Sequence, residues 1–402
     1  MASDMTGPGT SHGPLAALAQ RATAGPHARV SRSHGKLDGL YLPQLVPALL
    51  IVVASVVNMW SCAQALENAN FVNHLAGIAL GIVAAAIVWR YDYRALANMT
   101  GVLFVLACFL MVMPKIPGLG VEAKGMVGWV ALGPVRFQPS EPAKLVVIFL
   151  MASVCAQYNG KVESFRDYVR MCGTLLVPLL LIMVTDLGTG LMIFFAGATI
   201  IICSGAPRRW VIGTIALVVF GAAFVVVTSS IDGLPHILKE YQLKRLTVFI
   251  DPYGSDSESA YNLIQAMVAV GSGGFLGKGF GNASQALSGF LPEAHTDFIF
   301  ATFAEQFGFL GSVLLLGLFA WMIVSTVLLA MRTESTFARL VLVGCAALWT
   351  FQVLENVGMC IGIMPITGIP LPFMSYGSSS MVSQLAAVGI VQSVWRHRQK
   401  AA

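Results

Sequence analysis

The segment Phe290-Leu-Pro-Glu-Ala-His-Thr-Asp-Phe-Ile-Phe300 sets Glu293, His295 and Asp297 at the entrance to a long apolar run. Desolvating a charge at the mouth of a membrane segment is costly, so such residues mark a place where something polar is handled. A carboxylate there can take a proton from a hydroxyl. His295 either orients Asp297 or caps the loop. These residues close the one large loop of the chain, residues 228–298, which also holds Tyr241-Gln-Leu-Lys-Arg-Leu-Thr-Val-Phe-Ile-Asp-Pro252. In that phrase Lys244 and Arg245 could grip a diphosphate, Arg through its bidentate fork, although a basic pair beside a membrane serves equally as an anchor.

Three further clusters have chemical potential. Arg136-Phe-Gln-Pro-Ser-Glu-Pro-Ala-Lys144 opens an apolar run. Gln138, Ser140 and Glu141 can cap its helix, and Pro142 sits in the first turn, where a missing N–H costs nothing. Capping does not account for Lys144, one turn inside the membrane beside Glu141. That pair is either a structural ion pair or part of a polar cavity. Thr185-Asp-Leu-Gly-Thr-Gly190 forms a tight hairpin in which Asp186 and Thr189 can cap the next helix. Asn356-Val-Gly-Met359 leads to Met364-Pro-Ile-Thr-Gly-Ile-Pro-Leu-Pro-Phe-Met-Ser-Tyr-Gly-Ser-Ser-Ser380, whose three prolines, two glycines and Ser-Tyr-Gly-Ser run cannot continue a helix. It predicts an irregular loop near membrane depth, tolerable where protein or water satisfies the backbone.

The elements that must position these residues follow from composition. The chain has 402 residues, 56% hydrophobic and 11% charged, with a mean hydropathy of +0.77. Soluble globular chains carry about 25% charged residues, so this is a polytopic membrane protein. Ten apolar runs of spanning character occur, at residues 42–60, 75–89, 96–113, 142–156, 169–184, 187–203, 210–227, 298–329, 340–361 and 381–394. The fourth, fifth and tenth are short and should extend by a turn. With both termini cytoplasmic, sixteen of the 24 Lys and Arg fall on the inside, as the positive-inside rule requires. Glu67, Glu122, Glu141, Asp186, Glu293, Asp297, Glu305 and Glu355 fall on the outer side.

The fold predicted is an all-α membrane domain over residues 39–396, with about ten transmembrane helices. A re-entrant or interfacial helix over Tyr261–Gly274, too short and polar to span, belongs to the large extracellular loop between spans seven and eight. Residues 1–38, rich in Gly, Ser, His, Pro and Arg, read as a disordered cytoplasmic tail. The seven cysteines are scattered, with neither zinc nor disulfide spacing. The net charge of +5 follows the membrane rather than one basic face, which gives no case for nucleic acid.

The phrases FQPSEPAKL, TDLGTG, AYNLIQAMVAVGSGGFLGKG, FLPEAHTDFIFA and MPITGIPLPFMSYGSSS, in this order, resemble the SEDS family (shape, elongation, division and sporulation). The likeness runs from about residue 37 to 395. Gly133-Pro134 and the Asn356-Val-Gly-Met359 phrase are closer to the rod-shape branch, RodA, than to the division branch, FtsW.

The resemblance implies a peptidoglycan glycosyltransferase of the bacterial cytoplasmic membrane. Such an enzyme polymerises lipid II beside a class B penicillin-binding protein that acts as transpeptidase. It places the essential acidic residue at Asp297. Glu141 and Lys144 match the polar pair, Asp186 the DLGT aspartate, Arg245 the basic residue before the FxDP phrase, and Ser375, Tyr376 and Gly377 the last loop. Asp297 as general base would activate the acceptor hydroxyl, and Arg245 and Lys144 would stabilise the leaving diphosphate. No all-protein metal site is visible, so a divalent cation, magnesium or manganese, would come with the substrate's phosphates.

Some positions depart from the family pattern: Lys124-Gly-Met-Val-Gly-Trp129, Thr185, Asn262, Ala266, Ser378 and Glu305-Gln306. None touches Asp297. A lipid II flippase is the competing reading, but it needs polar residues through the whole membrane depth, whereas these charges concentrate on the outer side. A passive scaffold gives no reason for Asp297, Lys144 and Arg245 to sit near lipid.

Overall fold

The computed structural model describes residues 39–123, 126–132, 135–230, 247–254 and 257–398. The tail 1–38, Lys124, Lys244 and Arg245 lie outside them.

A helix forms at every one of the apolar runs. In chain order they are α1 Leu42–Ala65, α2 Phe71–Arg90, α3 Thr100–Val112, α4 Ser140–Ala156, α5 Phe165–Met183, α6 Leu187–Cys203 and α7 Arg208–Ser230. The loop helix α8 Glu258–Ser272 follows, then α9 Ile299–Met331, α10 Thr336–Cys360 and α11 Ser378–Arg398. Five of them, α1, α2, α7, α9 and α10, are long and apolar enough to cross a membrane. The chain is a multi-pass membrane protein. The three short runs extend beyond their apolar cores, to Ser140–Ala156, Phe165–Met183 and Ser378–Arg398.

Caps show why the helices begin where they do. Asn70, Ser164, Asp186, Ser257 and Ser335 each accept a backbone N–H of the first turn of α2, α5, α6, α8 and α10, replacing the intrahelical acceptor that the first N–H groups lack. The start of α4 is a correction. Pro139 occupies its N-cap and no side chain caps it, so Ser140 and Glu141 are free for other contacts. Between α3 and α4 the chain forms a three-stranded antiparallel sheet that the sequence did not announce: β1 Gly120–Ala123, β2 Met126–Leu132 and β3 Val135–Phe137.

Most of α10 is buried between α4, α6 and α9. Its fully buried Trp349 donates Nε1–H to Gln384 Oε1 of α11 (2.8 Å), and Gln384 donates to Gln352 Oε1 (3.0 Å). By contrast α7 exposes Leu217, Val219 and Phe220, the apolar outside expected where lipid replaces water. In α8, Ala260, Leu263, Ala266 and Ala269 are buried against the bundle. Their three-residue spacing makes one narrow apolar stripe.

A break in α9 is the main irregularity. Gly308 has φ +67° and ψ −164°, a region essentially confined to glycine. The loop after α8 fills the break: Phe309 and Leu310 donate N–H to Gly274 and Phe275 O, and Lys278 and Gly279 donate to Glu305 and Gln306 O. Beside it the buried Glu305 carboxylate accepts from Lys278 Nζ (2.6 Å), from the Gln285 and Ala286 backbone N–H groups and from the Ser272 and Ser284 hydroxyls. The loop after α8 is thereby fixed onto α9, the helix that Asp297 precedes.

Candidate active site

Two irregular segments, 290–298 and 361–377, meet above α9 and α10. The first is a tight turn. Glu293 takes φ +55°, a strained conformation for a non-glycine residue. Thr296 donates its hydroxyl to Glu293 Oε2 at 2.6 Å, while Thr296 and Phe298 donate N–H to Glu293 O. The side chains of Glu293, His295 and Asp297 emerge half-buried from this turn.

The second segment grips the first. Tyr376 donates its N–H to His295 O (2.9 Å), and Ser375 donates its hydroxyl to Thr296 O (2.7 Å) while accepting from Leu371 N (2.8 Å). The Tyr376 ring lies 5.4 Å from His295 and 6.5 Å from His74 of α2. Phe373, at φ +61°, is the second strained residue beside the site. From below, Asn356 Nδ2 of α10 donates to Asp297 O at 2.7 Å and to Ile369 O at 2.8 Å. The backbone under the Asp297 carboxylate is therefore held by a side chain of another helix. Gly368, with φ +73°, packs so close that a Cβ there would lie 3.3 Å from Asp297 Oδ2.

The remaining polar residues form a neighbouring group. Lys144 Nζ meets Glu141 Oε1 at 2.8 Å, and both side chains are almost wholly buried. This is an ion pair inside the protein, and Glu141 Oε2 has no hydrogen-bond partner among the described residues. Lys144 also approaches Met192 Sδ of α6 at 3.8 Å. Asp186 caps α6, accepting Thr189 N at 2.9 Å and the Thr189 hydroxyl at 2.6 Å. Ser140, Thr185 and Asp186 line one recess.

Two contacts join the groups. Gln138 donates its N–H to Ser379 Oγ (3.2 Å), bringing the start of α4 to that of α11. A Cβ at Gly188 of α6 would stand 3.0 Å from Thr367 O. The structure thus gathers Glu293, His295, Asp297, Ser375 and Tyr376 into one cluster, with Glu141, Lys144 and Asp186 in the adjoining one. Arg245 falls outside the described residues. Sequence reasoning singled out the Asn356-Val-Gly-Met359 phrase but missed that Asn356 holds the Asp297 backbone, a contact between residues far apart in the chain. Among the described residues no three His, Cys, Asp or Glu side chains converge as metal ligands.

Comparison with known proteins decides the family. The model of the cell cycle protein family of FtsW, RodA and SpoVE matches residues 40–400. The chain belongs to the FtsW/RodA/SpoVE family. Within it, the chain is 32% identical over 362 residues to the peptidoglycan glycosyltransferase MrdB of Escherichia coli (strain K12), covering 88% of this chain and 93% of that protein. It is 33% identical over 359 residues to stage V sporulation protein E of Bacillus subtilis (strain 168), covering 87% and 93%. Among solved structures, a chain from a peptidoglycan synthase complex that coordinates polymerization and crosslinking superposes with a TM-score of 0.75 at 28% identity, over 89% of this chain and 98% of that one. The rod shape determining protein RodA of Thermus thermophilus superposes at 0.65 with 26% identity, over 89% and 97%.

Proposed function

We propose that the Asp297 cluster is the reacting centre of this peptidoglycan glycosyltransferase. The enzyme class rests on the relatives named above; the chemistry below rests on the residues. The chain crosses the bacterial cytoplasmic membrane ten times with both ends inside, which puts the cluster at the outer face. Lipid II, a disaccharide peptide on a lipid diphosphate, is then reached from the outer leaflet.

The reaction joins the 4-hydroxyl of an acceptor sugar to the anomeric carbon of a donor. The new C–O bond forms as the bond from that carbon to the diphosphate breaks, and the diphosphate leaves with the electron pair. An alcohol is a poor nucleophile at neutral pH, so the Asp297 carboxylate takes its proton. Negative charge grows on the leaving diphosphate. Lys144 and Arg245 are the cations assigned to it, with Asp186 and the orphan oxygen of Glu141 receiving sugar or peptide donors. His295, Glu293, Ser375 and Tyr376 shape the pocket around the base. A divalent cation, magnesium or manganese, belongs to the substrate's phosphates in this reading. A class B penicillin-binding protein crosslinks the product.

The observation that carries this reading is the pinned Asp297 backbone, held by Asn356 at 2.7 Å at the junction of two strained loops. A carboxylate fixed in this way is preorganised for proton transfer. Lipid II polymerisation by the purified protein, with and without Asp297→Asn, tests it. Unchanged polymerisation in the variant would overturn the assignment.

A further inference from the structure

We propose that Glu355 is a positioning residue for glycosyl transfer, acting through Thr367 on the Gly368 backbone that faces Asp297; this rests on the reading of Asp297 as the base. Glu355 lies on α10, 4% exposed. A buried carboxylate in an apolar helix is costly unless its interactions are used. Its Oε1 accepts the Thr367 hydroxyl at 2.8 Å. The next residue, Asn356, donates to Ile369 O at 2.8 Å and to Asp297 O at 2.7 Å.

Two consecutive helical residues therefore hold the two ends of Thr367-Gly368-Ile369. They leave the helix roughly 100° apart, so together they fix the orientation of that tripeptide as well as its place. Its centre is Gly368, where a Cβ would lie 3.3 Å from Asp297 Oδ2. A Cβ added at Gly188 of the Asp186-capped helix α6 would stand 3.0 Å from Thr367 O. The tripeptide is a wall between the Asp297 carboxylate and the N-terminus of α6. The Glu355 bond holds the Thr367 end, as the Asn356 bond holds the Ile369 end. Releasing that end lets Gly368 move against Asp297 without removing any group that would touch substrate.

The test uses the full-length protein in proteoliposomes supplied with lipid II, with kcat and KM measured separately. Glu355→Leu and Thr367→Val should each lower kcat about ten-fold while KM stays within about two-fold, because a small misplacement of a reacting group acts on the chemical step. The double variant should be no slower than the slower single one, since both remove the same contact. Glu355→Gln, whose carbonyl still accepts from Thr367, should stay within about three-fold of the wild-type kcat. A contact that merely anchored the loop would lower the thermal transition and leave kcat alone. Should Glu355→Leu fail to fold, Thr367→Val carries the test by itself. Wild-type kcat in Thr367→Val overturns the proposal, as does a loss seen only in KM. Asp297→Asn run in parallel separates the two readings: full activity there overturns the base, whereas wild-type rates in the positioning variants overturn only the role of Glu355.

Discussion

Asn356 holds Asp297 by its backbone, through a 2.7 Å hydrogen bond from Nδ2 to the aspartate's carbonyl oxygen. The same nitrogen serves Ile369 O, so one amide couples the turn that carries Asp297 to the loop that faces it.

Replacing Asn356 by Leu keeps the volume and removes both bonds. Each carbonyl left buried without a partner costs about 1–3 kcal/mol, so the thermal transition in detergent should fall. Polymerisation at saturating lipid II should drop by about a hundred-fold. A variant that melts earlier yet polymerises at the wild-type rate would confine Asn356 to stability.

The Glu141–Lys144 pair predicts a non-additive pattern. Lys144→Met leaves a buried carboxylate unpaired, which costs about 3–5 kcal/mol. Adding Glu141→Gln removes that charge and should restore much of the lost stability. Equal melting of the single and double variants would mean that the pair is not coupled. Activity should be absent in both, because the cation is lost in each.

Gly308→Ala tests the broken helix. A Cβ would meet the Gly277 nitrogen, and the backbone conformation alone costs about 1–3 kcal/mol for a residue with a side chain. We expect reduced thermal stability and early proteolysis in the loop after α8. Normal stability and an intact loop would show that the loop does not depend on this break.

Much of this was legible in the sequence, for physical reasons. Apolar runs report helices because lipid demands them, and Asp186 reads as a cap because a short polar side chain directly before an apolar helix can accept its first N–H groups. The HTDF and SYG phrases were singled out by charge and by helix-breaking residues, and they do meet. What stayed hidden depends on contacts distant in sequence. One glycine in an apolar run gives no sign that Gly308 breaks α9, since the loop that fills the gap is 35 residues earlier (Gly274 and Phe275 against Phe309 and Leu310). The strands around Trp129 are short, and strand preference is set mostly by neighbours. The start of α4 was misread because Ser140 and Glu141 suit a cap as well as a cavity.

The most direct test of the central claim compares lipid II polymerisation by the wild-type protein and by Asp297→Asn, each folded and supplied with a class B penicillin-binding protein. Asn keeps the size of the side chain and the backbone bond to Asn356, but cannot take the proton. Glycan strands from the wild type and none from the variant are the predicted result. Strands of normal length and yield from Asp297→Asn would contradict it.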